Sequence, residues 1–178
     1  MDEAAIRAAR GPFAGQPGQL DAPYWRTPPE LVERMLDLAD LTSEDKLIDL
    51  GCGDGRIGLA AAQRGARALG VDLDPMRIAE ARASAGRAGL EALASFREED
   101  LFATPLAEAS VVTLYLMMHV NRLLEDRLRS QLKPGSRIVS HAYSIGGWTP
   151  ARTVETADRR RLYLWVVPST PYSKSLNR

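Results

Sequence analysis

The chain has 178 residues, 45% hydrophobic and 26% charged, which suits one domain with a full core and no need of stapling disulfides. Its 23 basic and 23 acidic residues leave a formal net charge of zero, excluding a global field that would draw it to nucleic acid or an anionic membrane. A single cysteine, Cys52, excludes an internal disulfide, and with no signal-peptide pattern and no run approaching a membrane span the expectation is a cytoplasmic protein.

Residues 1–22 read as a mobile N-terminal arm, Ala-rich and then turn-rich through Gly11-Pro-Phe-Ala-Gly-Gln-Pro-Gly. Pro23-Tyr24-Trp25-Arg26 is predicted to be extended. Thr27-Pro28-Pro29-Glu30 then has the form of a helix start, with Thr27 as N-cap and Glu30 closing a capping box. Leu31, Val32, Met35, Leu36 and Leu38 place an apolar stripe on that helix.

Leu47 to Leu50 is a short apolar run of the kind found in buried parallel strands. Alternating segments follow: helix from about Gly55 to Arg64, strand from Ala66 to Val71, helix from Pro75 to Ala88, strand from Ala94 to Arg97. Ser110 to Leu116 is a β-branched fourth strand, Val120 to Leu132 an amphipathic helix, and Arg137 to Ala142 a fifth strand. Beyond Trp148 there is no room for a long helix, and Arg152–Thr156 and Arg161–Val167 flank a polar turn as a hairpin. The expected fold is α/β and Rossmann-like: a doubly wound, mostly parallel sheet with an antiparallel C-terminal hairpin strand. One domain spans 23–168, and 169–178 is a tail. The arginines of the C-terminal third, Arg159-Arg-Arg161 among them, read first as solvated edges and second as a basic rim for an acidic partner.

The chemistry concentrates at Asp49-Leu-Gly51-Cys-Gly53-Asp-Gly55-Arg56. These glycines fit two overlapping registers, one of which, Gly53-x-Gly55-x-x-Gly58, is formally a dinucleotide fingerprint. A pyrophosphate on a helix N-terminus sits poorly beside the carboxylate of Asp49, whereas a ligand amino group sits well there. Asp72, at the tip of the second strand, is placed to accept both hydroxyls of a ribose, and Asp100 to accept from an adenine amino group. Ammonium, ribose diol and adenine without phosphate describe S-adenosylmethionine.

Asp49-Leu-Gly-Cys-Gly-Asp-Gly, Gly70-Val-Asp72, Glu99-Asp100-Leu101 and Leu132-Lys-Pro-Gly-Ser-Arg-Ile-Val139 resemble, in order and spacing, the motifs of class I S-adenosylmethionine-dependent methyltransferases. Ala22-Pro-Tyr24-Trp-Arg-Thr27-Pro, Val112-Thr-Leu-Tyr115-Leu and Ser140-His-Ala-Tyr-Ser-Ile-Gly-Gly-Trp148 narrow the likeness. They resemble prokaryotic relatives of the ATP synthase c-subunit lysine methyltransferase family, with a fainter likeness to the non-SET histone lysine methyltransferase. This resemblance implies a protein lysine as acceptor. It implies Tyr24, Thr27, Asp49, Gly51, Gly53, Gly55, Asp72, Leu73, Asp100 and Leu101 as cofactor contacts, and Tyr115 and Tyr24 at the reacting centre. The chain differs from the family in carrying Tyr115 where Asn is usual, and it lacks the mitochondrial members' hydrophobic N-terminal segment.

The expected reaction is an in-line displacement that requires no metal, and the two histidines, His119 and His141, have no ligand-like partners in sequence. Aromatic residues placed at the sheet's carboxyl edge offer cation–π faces. Duller readings stand beside these: Tyr24 and Trp25 pinning the arm, His141 as a structural group, Met117-Met118 and Trp165 as core, and Trp148 packed under the hairpin. Arg56 is predicted to pair with Asp54 or Asp72, because a cation in a helix's first turn is unfavourable. Open alternatives are a small-molecule acceptor, a nicotinamide oxidoreductase and a non-catalytic cofactor-binding module. A nucleic-acid acceptor is disfavoured by the zero net charge and by Leu114-Tyr-Leu-Met standing where an Asn-Pro-Pro-aromatic sequence would be.

Overall fold

The computed structural model describes residues 25–170 and Tyr172. The elements run α1 (Pro29–Leu38), β1 (Lys46–Leu50), α2 (Arg56–Gln63), β2 (Arg67–Asp72), α3 (Pro75–Ala88) and β3 (Ala94–Glu98). They continue through β4 (Val111–Leu114), α4 (Met118–Gln131), β5 (Arg137–His141), β6 (Arg152–Glu155) and β7 (Arg161–Val166). The strands form one sheet in the order β3-β2-β1-β4-β5-β7-β6. The first five strands pair in parallel, while β7 runs antiparallel to both β5 and β6. The predicted fold class and its terminal hairpin are therefore present.

The buried strands divide their apolar side chains between two layers. Leu47, Ala68, Val111 and Val139 pack with Val32, Met35 and Leu36 of α1 and with Ile57, Ala60 and Ala61 of α2. Ile48, Leu50, Val71, Val112 and Leu114 point to the other face and meet Val120, Leu124 and Leu128 of α4. Among the described residues, that second face has a single α-helix. The connections after β3 and β5 are turns, and their Leu101, Phe102, Leu106, Ile145 and Trp148 fill the layer instead. Trp165 is fully buried there and donates from its indole nitrogen to the carbonyl of Trp148 at 2.8 Å, so both tryptophans occupy their expected core places.

Three local expectations are corrected. Thr27 does not cap the first helix, because Pro28 occupies the N-cap position with ψ 146° and no side-chain cap forms. The reason is the second proline: the ring of Pro29 clashes with a helical conformation at the residue before it, so the helix starts one position later. The fourth strand ends at Leu114, and Tyr115 and Leu116 leave the ladder to line a cleft. Met118, expected to pack, is 55% exposed at the start of α4. The N-terminal arm and Tyr24 lie outside the described residues, as does most of the tail. No helix among the described residues is long and apolar enough to cross a membrane.

Candidate active site

Strand order reverses between β1 and β4, and open α/β sheets bind ligands at the carboxyl ends of the strands on either side of such a reversal. A cleft lies there. Its walls carry Trp25, Arg26 and Thr27, the loop after β1, Asp72-Leu73, Glu99, Leu101 and Tyr115-Leu116.

The glycine loop is tied to its own chain. The amides of Gly51 and Cys52 both donate to the carbonyl of Val71 at 2.9 Å, that of Gly53 to Asp72 Oδ2 at 2.8 Å, and that of Gly55 to the carbonyl of Cys52 at 3.0 Å. A dinucleotide loop needs such amides for phosphate oxygens. Here they are already spent. Gly51, Gly53 and Gly55 all have positive φ (77°, 53° and 80°), but they serve different ends. A Cβ at Gly51 would come within 2.7 Å of Leu116 Cδ2, on the wall of the cleft. A Cβ at Gly55 would strike Ala81 and the ring of Phe96 at 2.7 Å, so Gly55 lets α2 close on the β3 side rather than lining the cleft.

Asp49 is the most unusual group in the cleft. Its side chain is buried; Thr113 donates to Oδ1 at 2.8 Å, and Oδ2 has no hydrogen-bond partner among the described residues. Burial, with the nearby charges of Asp72 and Asp54, pushes its pKa up to about 7 against the pull of the Thr113 hydrogen bond. A buried carboxylate with one free oxygen fits a cation that donates to it, such as an ammonium group. Thr113 escaped sequence reasoning: it sits inside an apolar strand, and only the β1–β4 register, which sets it opposite Asp49, reveals its task.

Asp72 accepts from Gly53 and, through Oδ1, from the amide of Asp74 at 3.0 Å, so it fixes the loop while facing the cleft. The cleft's arginines are engaged with acids. Arg56 Nε donates to Asp54 at 2.9 Å, the predicted pairing, and a second nitrogen holds the carbonyl of Thr27 at 2.8 Å. Arg77 pairs with Glu80 at 2.8 Å, and Arg26 lies 3.4 Å from Glu80. Net acid, occupied amides and paired arginines make a poor phosphate site and a good one for S-adenosylmethionine.

At the β3 end, Glu99 and Leu101 line the cleft, and Asp100 is not among its walls. The carboxylate of Asp100 accepts from the amide of Phe102 at 2.9 Å, which turns the chain so that Leu101 faces the cleft. Arg127 on α4 fastens this segment by donating to the carbonyls of Leu101 and Thr104 at 3.1 and 2.7 Å. Glu99 was missed, because one of three consecutive acids gives no sign of which faces inward.

On the opposite wall, Tyr115 lies against His141, ring centroids 4.0 Å apart. His141 is buried with Nδ1 lacking a partner among the described residues. Burial first, and the charge of Arg160 second, lower its pKa to about 4. Trp25 stands 58% exposed at the cleft, and the arm it is expected to pin lies outside the described residues.

The ANTKMT methyltransferase domain model matches residues 49–152, from the buried aspartate to the start of the hairpin. The chain belongs to this family. A protein-lysine N-methyltransferase of Saccharolobus islandicus is 39% identical over 150 residues, covering 82% of this chain and 93% of that protein. The mouse adenine nucleotide translocase lysine N-methyltransferase is 38% identical over 149 residues, covering 83% of this chain and 65% of its own length. Among solved structures, an RNA methyltransferase from Salinibacter ruber in complex with S-adenosyl-L-homocysteine is 42% identical with a TM-score of 0.81, covering 86% of this chain and all of that one. The protein is thus an S-adenosylmethionine-dependent methyltransferase.

Proposed function

We propose that the methyl acceptor is the side-chain amine of a protein lysine, and that Asp49, Gly51, Gly53, Asp72, Leu73 and Leu101 hold the cofactor. What carries the acceptor reading is the open wall opposite the acids, where Tyr115 and the exposed Trp25 edge a cleft whose β5–β7 side carries a hairpin and, among the described residues, no lid domain. The two lysine methyltransferases that match most of this chain support it. When bound, S-adenosylmethionine supplies a sulfonium methyl, which an uncharged amine takes in line, the C–N bond forming as C–S breaks.

The chain's own contribution is placement and desolvation. Asp49 Oδ2 takes the ligand ammonium, Asp72 the ribose, and Leu101 the adenine face. Thr27, buried beside the loop, closes the cofactor side. Tyr115 orients the incoming amine with its ring and hydroxyl. The lysine proton leaves to solvent, because His141, titrating near pH 4, is roughly six units too weak to hold it. This reading includes a cytoplasmic enzyme, supported by the one buried free thiol, Cys52.

A second acceptor class, RNA, has one observation in its favour, the name of the Salinibacter ruber relative. The zero net charge favours protein over a polyanion. Incubating the purified enzyme with methyl-labelled cofactor and, separately, lysate protein and total RNA decides between them. Label on lysine, located by mass spectrometry, is the expected result; label confined to RNA or to small molecules overturns it.

A further inference from the structure

The C-terminal hairpin carries a feature that cofactor binding does not use. Because β7 is antiparallel to β5, with His141 opposite Leu162, the β6–β7 turn stands at the carboxyl edge of the sheet, beside the Tyr115–His141 wall. The charge of Arg160 in this turn reaches both rings, lowering the titration of His141 and opposing the upward shift of Tyr115.

The turn is tightly built. The amide of Thr156 donates to the carbonyl of Arg160 at 2.8 Å, that of Arg159 to the carbonyl of Thr156 at 2.9 Å, and that of Arg160 to Thr156 Oγ1 at 3.1 Å. The Thr156 hydroxyl also bonds to Asp158. This is a turn closed by a residue in the left-handed region, a position glycine normally takes. Here it is Arg159, with φ 62°. A long charged side chain is held at a backbone conformation that disfavours it, and such outliers gather at functional surfaces.

Within the hairpin, arginine outnumbers acid by four to two. Arg160 pairs with Asp158 at 2.8 Å and Arg161 with Glu155 at 3.1 Å, which leaves Arg152 and Arg159 without an ion pair among the described residues. Arg159 is exposed at the tip.

We propose that the 156–160 turn is the acceptor-docking surface, and that Arg159 selects protein segments bearing an acidic residue close to the target lysine. The partner is an acidic-flanked lysine segment, and the inference rests on the protein-lysine reading above. An exposed arginine–carboxylate pair adds a modest, salt-sensitive increment to encounter and binding.

The test grafts lysine segments with acidic or neutral flanks onto the tail of one carrier protein and measures kcat/KM for each at low and high salt. Wild type should favour the acidic flank by about three- to fivefold at low salt, and the preference should fade at high salt. Arg159→Gly should abolish the preference while melting no lower than wild type, since it relieves the left-handed backbone. Arg159→Glu should reverse it. Cofactor affinity should stay unchanged in both variants. If the variants keep the wild-type preference, or wild type has none, the docking role is wrong and the lysine reading stands. If wild type labels no lysine in any segment or in lysate protein, both fall.

Discussion

The imidazole of His141 lies against the phenol of Tyr115, planes inclined by 32°, with the tyrosine at the cleft and the histidine behind it. With its pKa lowered to about 4 by burial, the imidazole is neutral throughout the working range. At saturating cofactor, turnover should therefore climb with pH toward the lysine's own pKa, with no limb near 6–7. A limb in that interval that vanished in His141→Asn would make the histidine a base. Tyr115→Phe should lower kcat several-fold and leave cofactor affinity nearly intact, read by titration calorimetry.

Asp49 is about half protonated near neutrality in the free protein, and a ligand ammonium binds its ionised form. Cofactor affinity should thus rise about sixfold from pH 6 to pH 7.5, then fall as the ligand's α-amino group, titrating near 8, loses its charge. Asp49→Asn should flatten the acid limb and weaken binding. Thr113→Val, which removes the hydrogen bond favouring the carboxylate, should move that limb to higher pH.

The same two groups pull stability in opposite directions. His141 binds no proton in the fold above about pH 4, while the unfolded chain takes one up near 6.5, so stability falls as pH drops through that window. Asp49 keeps its proton in the fold up to about 7 and loses it near 4 when unfolded, so its contribution falls as pH rises. Wild-type denaturation midpoints should therefore change little between pH 4.5 and 6.5. In Asp49→Asn the histidine's slope stands alone, a loss on the order of 2–3 kcal/mol on acidification. An equally flat profile in that variant would count against the paired titration.

Gly51 and Gly55 share a backbone conformation but not a neighbourhood. Gly55→Ala meets a helix and an aromatic ring, and should lower stability by roughly 2–4 kcal/mol in chemical denaturation. Gly51→Ala meets the end of a leucine side chain that can turn away, so its stability loss should be nearer 1 kcal/mol. Its larger effect should be on cofactor affinity.

Much of this was legible in the sequence because it is local. The bounds of α3 match expectation to the residue, since proline opens that helix and a left-handed Gly89 closes it. The hairpin was readable from two apolar runs around a polar turn. What escaped depends on register between distant segments: Thr113 beside Asp49, Tyr115 against His141, and Glu99 rather than Asp100 toward the cleft. The helix start shifted because two adjacent prolines compete for one cap, and the second decides.

The loop after β1 is fastened to Val71 and Asp72 by the chain's own amides, so it holds its shape without help from a ligand. On the roles assigned to them, Asp49 and Asp72 grip the amino acid and the sugar, parts that the methyl donor and its spent by-product have in common. Little of the grip registers whether the methyl is still there. The by-product should then occupy the cleft about as well as the donor, and the enzyme's output in a cell should follow the ratio of the two rather than the amount of donor alone.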